Sequence, residues 1–185
     1  MHVEVAAWGW LGERWAASYP ADLPEEWRLD YYANEYEAVV VPSSDWQAQD
    51  RETLQLWLEE APEGFHFYWE LEGGAPAPLL GLYNALKDET APGGWLLSQG
   101  GLAKGAGDEL SELAPVALCE PKGEFVGNGL IVLAAEKEPN LRQLRERLDT
   151  LAAQGTETVV LTVHPSVDAS ELLHRLHTLC RLYRS

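Results

Sequence analysis

The chain of 185 residues is poor in several things that would mark a function. It has two cysteines, Cys119 and Cys180, far apart and in no CxxC arrangement, so neither a disulfide framework nor a zinc site is expected. Basic residues are scarce: 13 Lys and Arg stand against 30 Asp and Glu, a formal charge of −17. A surface of that sign repels phosphate backbones and anionic lipid, which argues against nucleic-acid and membrane partners. No apolar run approaches the roughly 18 residues of a membrane span. The N-terminus has no basic n-region, and "VAAWGWLG" is too short and broken for a signal h-region, so the expected location is cytoplasmic and reducing. "GGLAKGAG" has no Lys-Ser or Lys-Thr after it and no clear strand before it, and Ser43-Ser44 lacks a G-x-S-x-G elbow. No cofactor is implied.

What the chain does have is a rhythm of strands and capped helices. "HVEVAAW" (His2–Trp8) alternates as a strand and is followed by a turn at Gly9 and Gly12. Asp22-Leu-Pro-Glu25 predicts a capped helix through about Asn34, and "YEAVVVP" a continuous apolar strand buried on both faces. Asp50 predicts the cap of a helix with Leu54, Trp57 and Leu58 on one face, ended near Pro62 and Gly64 ahead of the strand Phe65–Leu71. Further on, Pro115–Glu120 and Gly129–Glu136 read as strands. Asn140-x-x-Gln143 opens a helix with a Leu141, Leu144, Leu148, Leu151 stripe, stopping at Gly155. "ETVVLTVHP" is another strand, and Asp168 predicts the cap of a last helix carrying Leu172, Leu176, Leu179 and Tyr183. Such alternation predicts an α/β fold with a parallel sheet in a single domain, 1–185. Only at about 72–113 does the rhythm fail, among Gly/Pro/Ala loops with "PLLGLYNALKD" and "GWLLSQ" between them.

The residues Gly9-Trp10, Trp15, Tyr19-Pro20, "EEWRLDYYANEYEAVVV" and "ETLQLWLEEAPEGFHF" resemble the start of the domain-of-unknown-function 72 family, the YecE-like proteins. The family pattern there runs GxSGW, W, FYP, a helix ending YYA, a VEIN strand, a W-x-x-x-x-P helix end and an FxFxxK strand. From about Pro115 to Tyr183 the chain looks like the family's last units, VALVLADSP, YVRLHG and VYVYFNN. The resemblance implies a TIM barrel with its working residues at the C-terminal strand ends. It also implies a shortened or incomplete barrel, with central βα units missing or degenerate at 72–113. Position by position, the Glu and Asn of VEIN fall on Val40 and Pro42, and the Lys of FxFxxK on Glu70. The Arg and His of VRLHG fall on Leu133 and Ala135, and the Asn pair of FNN on His164 and Pro165. Val, Leu and Ala neither move protons nor bind an oxyanion. The expectation is therefore a binding or interaction scaffold that has lost the family's polar site.

A rival reading rebuilds that site. Asp45, Glu70, Glu120, Glu136 and His164 each follow or end a predicted strand, with Trp8, Trp10, Trp46 and Trp69 nearby. Converging, they would form a carboxylate-and-aromatic cleft of the kind sugars use, and Glu70, Glu120 and His164 would serve a hydrolase- or isomerase-like enzyme on a sugar-like or small polar substrate. Not converging, they are solvated rim charges and packed indoles. His174 and His177, with Glu171 a turn earlier, have a metal-like spacing, but they lie off the leucine stripe and read as a solvated helix face, so no metal is expected. Trp10, Trp15, Trp27 and Trp57 match family or helix-face positions and read as structural. Trp46, Trp69 and Trp95 are left over as an exposed recognition patch. The expected binding set is Trp10, Asp45, Trp46 and Trp69, and the acidic charge reads first as solubility and otherwise as a docking surface for a basic protein partner.

Overall fold

The computed structural model describes residues 1–16, 18–71, 94–98, 116–119, 125–127, 130–133, 140–156, 158–163 and 170–184. β1 (His2–Trp8) is followed by α1 (Glu13–Ala16), a 3-10 turn (Glu25–Trp27), α2 (Arg28–Glu35), β2 (Ala38–Val41), α3 (Ser43–Gln47), α4 (Arg51–Glu60) and β3 (His66–Leu71). β4 (Gly94–Ser98), β5 (Val116–Cys119), β6 (Phe125–Gly127) and β7 (Leu130–Leu133) come next, then α5 (Leu141–Ala153), β8 (Thr158–Val163) and α6 (Ser170–Arg184).

Among the described residues the eight strands form one sheet in the order β6-β5-β4-β3-β2-β1-β8-β7. The first and last strands lie side by side, as a barrel wrap requires, with Val3 opposite Val159 and Val5 opposite Leu161. Pairing is parallel throughout except between β5 and β6, which run antiparallel. β7 also approaches β5 and β6, so the edges of the sheet curl toward each other, yet no ladder joins them among the described residues. This is the expected parallel α/β, TIM-barrel-like fold, its sheet not closed among the described residues. Its irregularity lies in the reversed β6 and the unjoined seam, and β4 forms within the stretch where the rhythm fails.

Two apolar layers follow from the period-2 geometry of the strands. On the helix side, Val3, Val5, Ala7, Val39, Val41, Phe67, Trp69, Val159 and Leu161 pack under the helices. On the inner side, Ala6, Ala38, Val40, Tyr68 and Val160 form a second cluster with Trp8 against it. Ala6 and Ala38 sit at paired positions, and their small side chains leave inner volume for the Tyr68 ring.

Local signals held where side chains could satisfy helix ends. Asp50 Oδ1 accepts from Thr53 N at 2.8 Å, Asn140 Oδ1 accepts from Arg142 N and Gln143 N, and Gly155 takes the left-handed conformation at φ +83°. Asp22 does not cap α2. Pro24 leads into the 3-10 turn with no side-chain cap bond, its ring already holding φ at −56°. The buried face of α6 is also turned from the expected leucine stripe. Leu173, Leu176 and Cys180 are buried while Leu179 is exposed, because the helix rests on β1 and β8 along the 173/176/180 line. On α5, Leu148 is buried and Leu141 exposed. The expected Asp168 cap lies outside the described residues. No helix among the described residues is long and apolar enough to cross a membrane.

Candidate functional site

At the C-terminal ends of β1–β3, Gly9 carries the chain out of β1 at φ +80°, its N–H donating to Val40 O at 2.7 Å. A Cβ there would stand 3.3 Å from Asp45 Oδ2 and 3.5 Å from the Pro42 ring, in a conformation side chains rarely adopt. Beyond β2, Pro42 turns the chain straight into α3. The backbone N–H of Ser43 donates to Glu70 Oε2 at 3.0 Å, the Ser43 hydroxyl donates to Glu70 O at 2.9 Å, and the Trp46 indole N–H donates to the same carbonyl at 2.8 Å. Glu70 therefore satisfies a first-turn donor of α3 from the neighbouring strand and pins that short helix to β3.

This geometry corrects the expected exposed patch. Trp46 is 4% exposed and Trp69 2% exposed. Trp69 points to the helix side of β3 and stacks on Phe67, ring centroids 5.5 Å apart, while Trp46 is drawn inward by its bond to β3. Trp10 is buried edge-on to Trp57 at 4.7 Å, as a structural indole, and so is closed to a ligand. Trp27, expected to be structural, is instead 61% exposed. Asp45 is half-buried and accepts from the Ser44 hydroxyl at 3.0 Å. Of the proposed Glu70, Glu120 and His164 group only Glu70 is described; Glu120, His164, Glu136 and the Trp95 side chain lie outside the described residues. Val40 fills the inner layer at 0% exposure; Ala135 and the Leu133 side chain lie outside the described residues. His174 and His177 do not come together as ligands: His174 pairs with Glu35 at 3.7 Å, and His177 lies against the Tyr36 ring at 5.3 Å. Among the described residues no three His, Cys, Asp or Glu groups are placed to hold a metal ion.

A second constellation, at the N-terminal ends of the same strands, was missed by sequence reasoning. Glu4 faces inward from β1 and is 1% exposed. The Tyr68 hydroxyl donates to its Oε2 at 2.9 Å, His66 Nδ1 lies 2.8 Å from its Oε1, and His2 Nε2 lies 3.3 Å from the same oxygen. Glu37 adds a carboxylate 3.9 Å from His2. The hydrogen bond to Glu4 raises the His66 pKa against an opposing desolvation, and burial first, with Glu4 second, pushes the Tyr68 phenol well up. Tyr68 is thus a neutral donor at any physiological pH, and Glu4 biases His66 toward its protonated form. The signal was present: Glu4, Ala6 and Trp8 share one face of "HVEVAAW", and His66 and Tyr68 share one face of "HFYWEL". Two strands that pair with β2 on opposite sides bring these faces together. On the inner side of β8 the buried Thr162 hydroxyl has no hydrogen-bond partner among the described residues.

Fold and strand-end geometry define a parallel-stranded, TIM-barrel-like α/β protein. Residues 4–74 match the family model described as "Protein of unknown function DUF72". A DUF72 family protein from Thermotoga maritima superposes with a TM-score of 0.69 at 13% identity, over 98% of this chain and 100% of that one. Another, from Enterococcus faecalis, does so with a TM-score of 0.58 at 12% identity, over 100% and 98% respectively. No curated protein matches the chain. The match over residues 4–74 and the chain-wide likeness in fold to DUF72 proteins, a family of unknown function, are together consistent with a divergent relative of that family.

Proposed function

We infer that this protein is a non-catalytic binding scaffold, and that its partner is a basic protein in a reducing, cytoplasmic setting. The observation that carries the reading is the placement of Glu70: the one expected catalytic carboxylate among the described residues accepts from the Ser43 backbone and anchors α3 to β3. A general acid or base needs its carboxyl free to meet a substrate proton. Val40, where the family pattern has a glutamate, adds apolar volume to the inner layer. The charge of −17 favours encounter with a cationic surface, and the buried thiol of Cys180 suits a reducing compartment.

The test pairs activity with stability. Chromogenic aryl glycosides and aryl esters incubated with the wild type and with Glu70→Gln are expected to turn over at the buffer rate in both. Turnover by the wild type that Glu70→Gln abolishes, with unfolding unchanged, would establish the enzyme reading in its place.

A further inference from the structure

We propose that the outer face of the 3-10 turn and α2 docks an arginine-bearing segment of a protein partner, with Trp27 and Tyr31 as its anchors. The proposal rests on the binding reading above and names the surface and the chemistry of what it takes. Trp27 is 61% exposed and Tyr31 44% exposed, and they stand four residues apart, one turn along the same side. Two large aromatics left in water on one helical turn are a costly arrangement for a folded chain. Around them Asp22, Glu25, Glu26 and Asp30 are all exposed. Carboxylates beside π-faces select a cation with a flat, weakly hydrated head: guanidinium stacks on the ring while its N–H groups reach the acids.

The same surface already holds one such contact. The Arg28 guanidinium lies 5.5 Å above the centroid of Tyr19, Tyr19 meets Tyr31 edge-on at 5.8 Å, and Arg28 Nη1 stands 3.9 Å from Glu25. An incoming arginine on Trp27 or Tyr31 would extend this stack outward. Charge removes the other occupants: a second copy would bring the same acids face to face, and nucleic acid and anionic lipid carry the wrong sign.

A short fluorescein-labelled peptide of alternating arginine and leucine serves as the probe, with anisotropy read at low and at physiological ionic strength. Binding to the wild type is expected, weaker at the higher salt. The double variant Trp27→Ala/Tyr31→Ala should weaken it by about tenfold or more, as loss of central aromatic anchors does. Glu25→Gln/Glu26→Gln should weaken it and flatten its salt dependence. Glu59→Gln/Glu60→Gln, the same charge change on exposed positions of α4, should alter it by less than about twofold. All of these positions are exposed, so the variants keep the fold, which circular dichroism checks. No binding, equal loss in both charge variants, or indifference to the aromatic pair overturns the proposal. So does self-association in sedimentation that Trp27→Ala/Tyr31→Ala abolishes. These failures leave the Glu70 test untouched, and turnover dependent on Glu70 would overturn the scaffold reading while leaving the peptide result standing.

Discussion

At the C-terminal ends of β1–β3 the Glu70, Ser43 and Trp46 side chains bind backbone, whereas at the N-terminal ends Glu4, His66, Tyr68 and His2 bind one another. Glu70 and Ser43 tie a helix to a strand across the first region; Glu4, His66, Tyr68 and His2 form a titratable cluster in the second. In TIM-barrel enzymes the assignment is the reverse, with chemistry at the C-terminal ends and stability at the base. Here the mouth described on three strands does structural work. The acid–imidazole–phenol group sits where the fold expects only support, and the burial of Glu4 and Tyr68 gives it that role too: each carboxylate oxygen of Glu4 has a partner, as a buried carboxylate requires.

If the base supports the fold more than the mouth does, removing its centre should show the largest effect. Glu4→Ala leaves the Tyr68 hydroxyl and His66 without their acceptor and opens a gap in the inner layer. A loss of about 3–5 kcal/mol in urea unfolding is expected. A loss below about 1 kcal/mol would break the comparison. Tyr68→Phe removes one donor and keeps the ring; about 1–3 kcal/mol is expected by the same measurement, with no change in m-value.

At the mouth, Glu70→Ala should cost about 1–2 kcal/mol, from the lost acceptor for Ser43 N, and should speed amide exchange in α3 selectively. Glu70→Gln keeps an acceptor oxygen and should cost less. If Glu70→Ala proved neutral, the structural reading of Glu70 would fall. The smallest effect is in pH. His66 has its folded pKa raised by Glu4, so its contribution is fully present below the unfolded histidine value near 6.5 and is lost as pH rises through the folded value. His177, lowered by burial and by Arg181, acts the other way: its contribution is present above the unfolded value and fades as pH falls through the folded one. Stability of His66→Gln should therefore fall off less than wild type between pH 6 and 8, while His177→Gln should lose the opposing acid-side decline. Identical pH profiles for wild type and His66→Gln would remove the titratable character assigned to the base.

Much of this was legible in one dimension. The strands at His2–Trp8, Ala38–Val41 and His66–Leu71, the caps at Asp50 and Asn140 and the glycine stop at Gly155 all lie where composition and spacing place them. They are local: a cap or a run of β-branched residues fixes its own few dihedrals whatever the rest of the chain does. Burial of individual indoles was not legible. Trp27 and Trp46 each sit at the edge of a short helical segment in the sequence, yet one is exposed and the other closed by a bond to a strand 24 residues away. Helix-face assignment on α6 failed in the same way, because the line of contact with β1 and β8, rather than the leucine spacing, decides which side is buried.

The sequence by itself determined the alternation of strands and helices, the parallel α/β class that follows from it, the family likeness and the strongly acidic charge, because each depends on residue type and short-range spacing alone. Only the tertiary structure decided that Glu4 meets His66 and Tyr68, that Glu70 turns to Ser43, and that Trp27 rather than Trp46 or Trp69 faces water. Those are contacts between residues 24 to 64 positions apart. They depend on strand order and register, and a shift of one residue in register would send Glu4, His66, Tyr68 and Glu70 to the opposite face of the sheet.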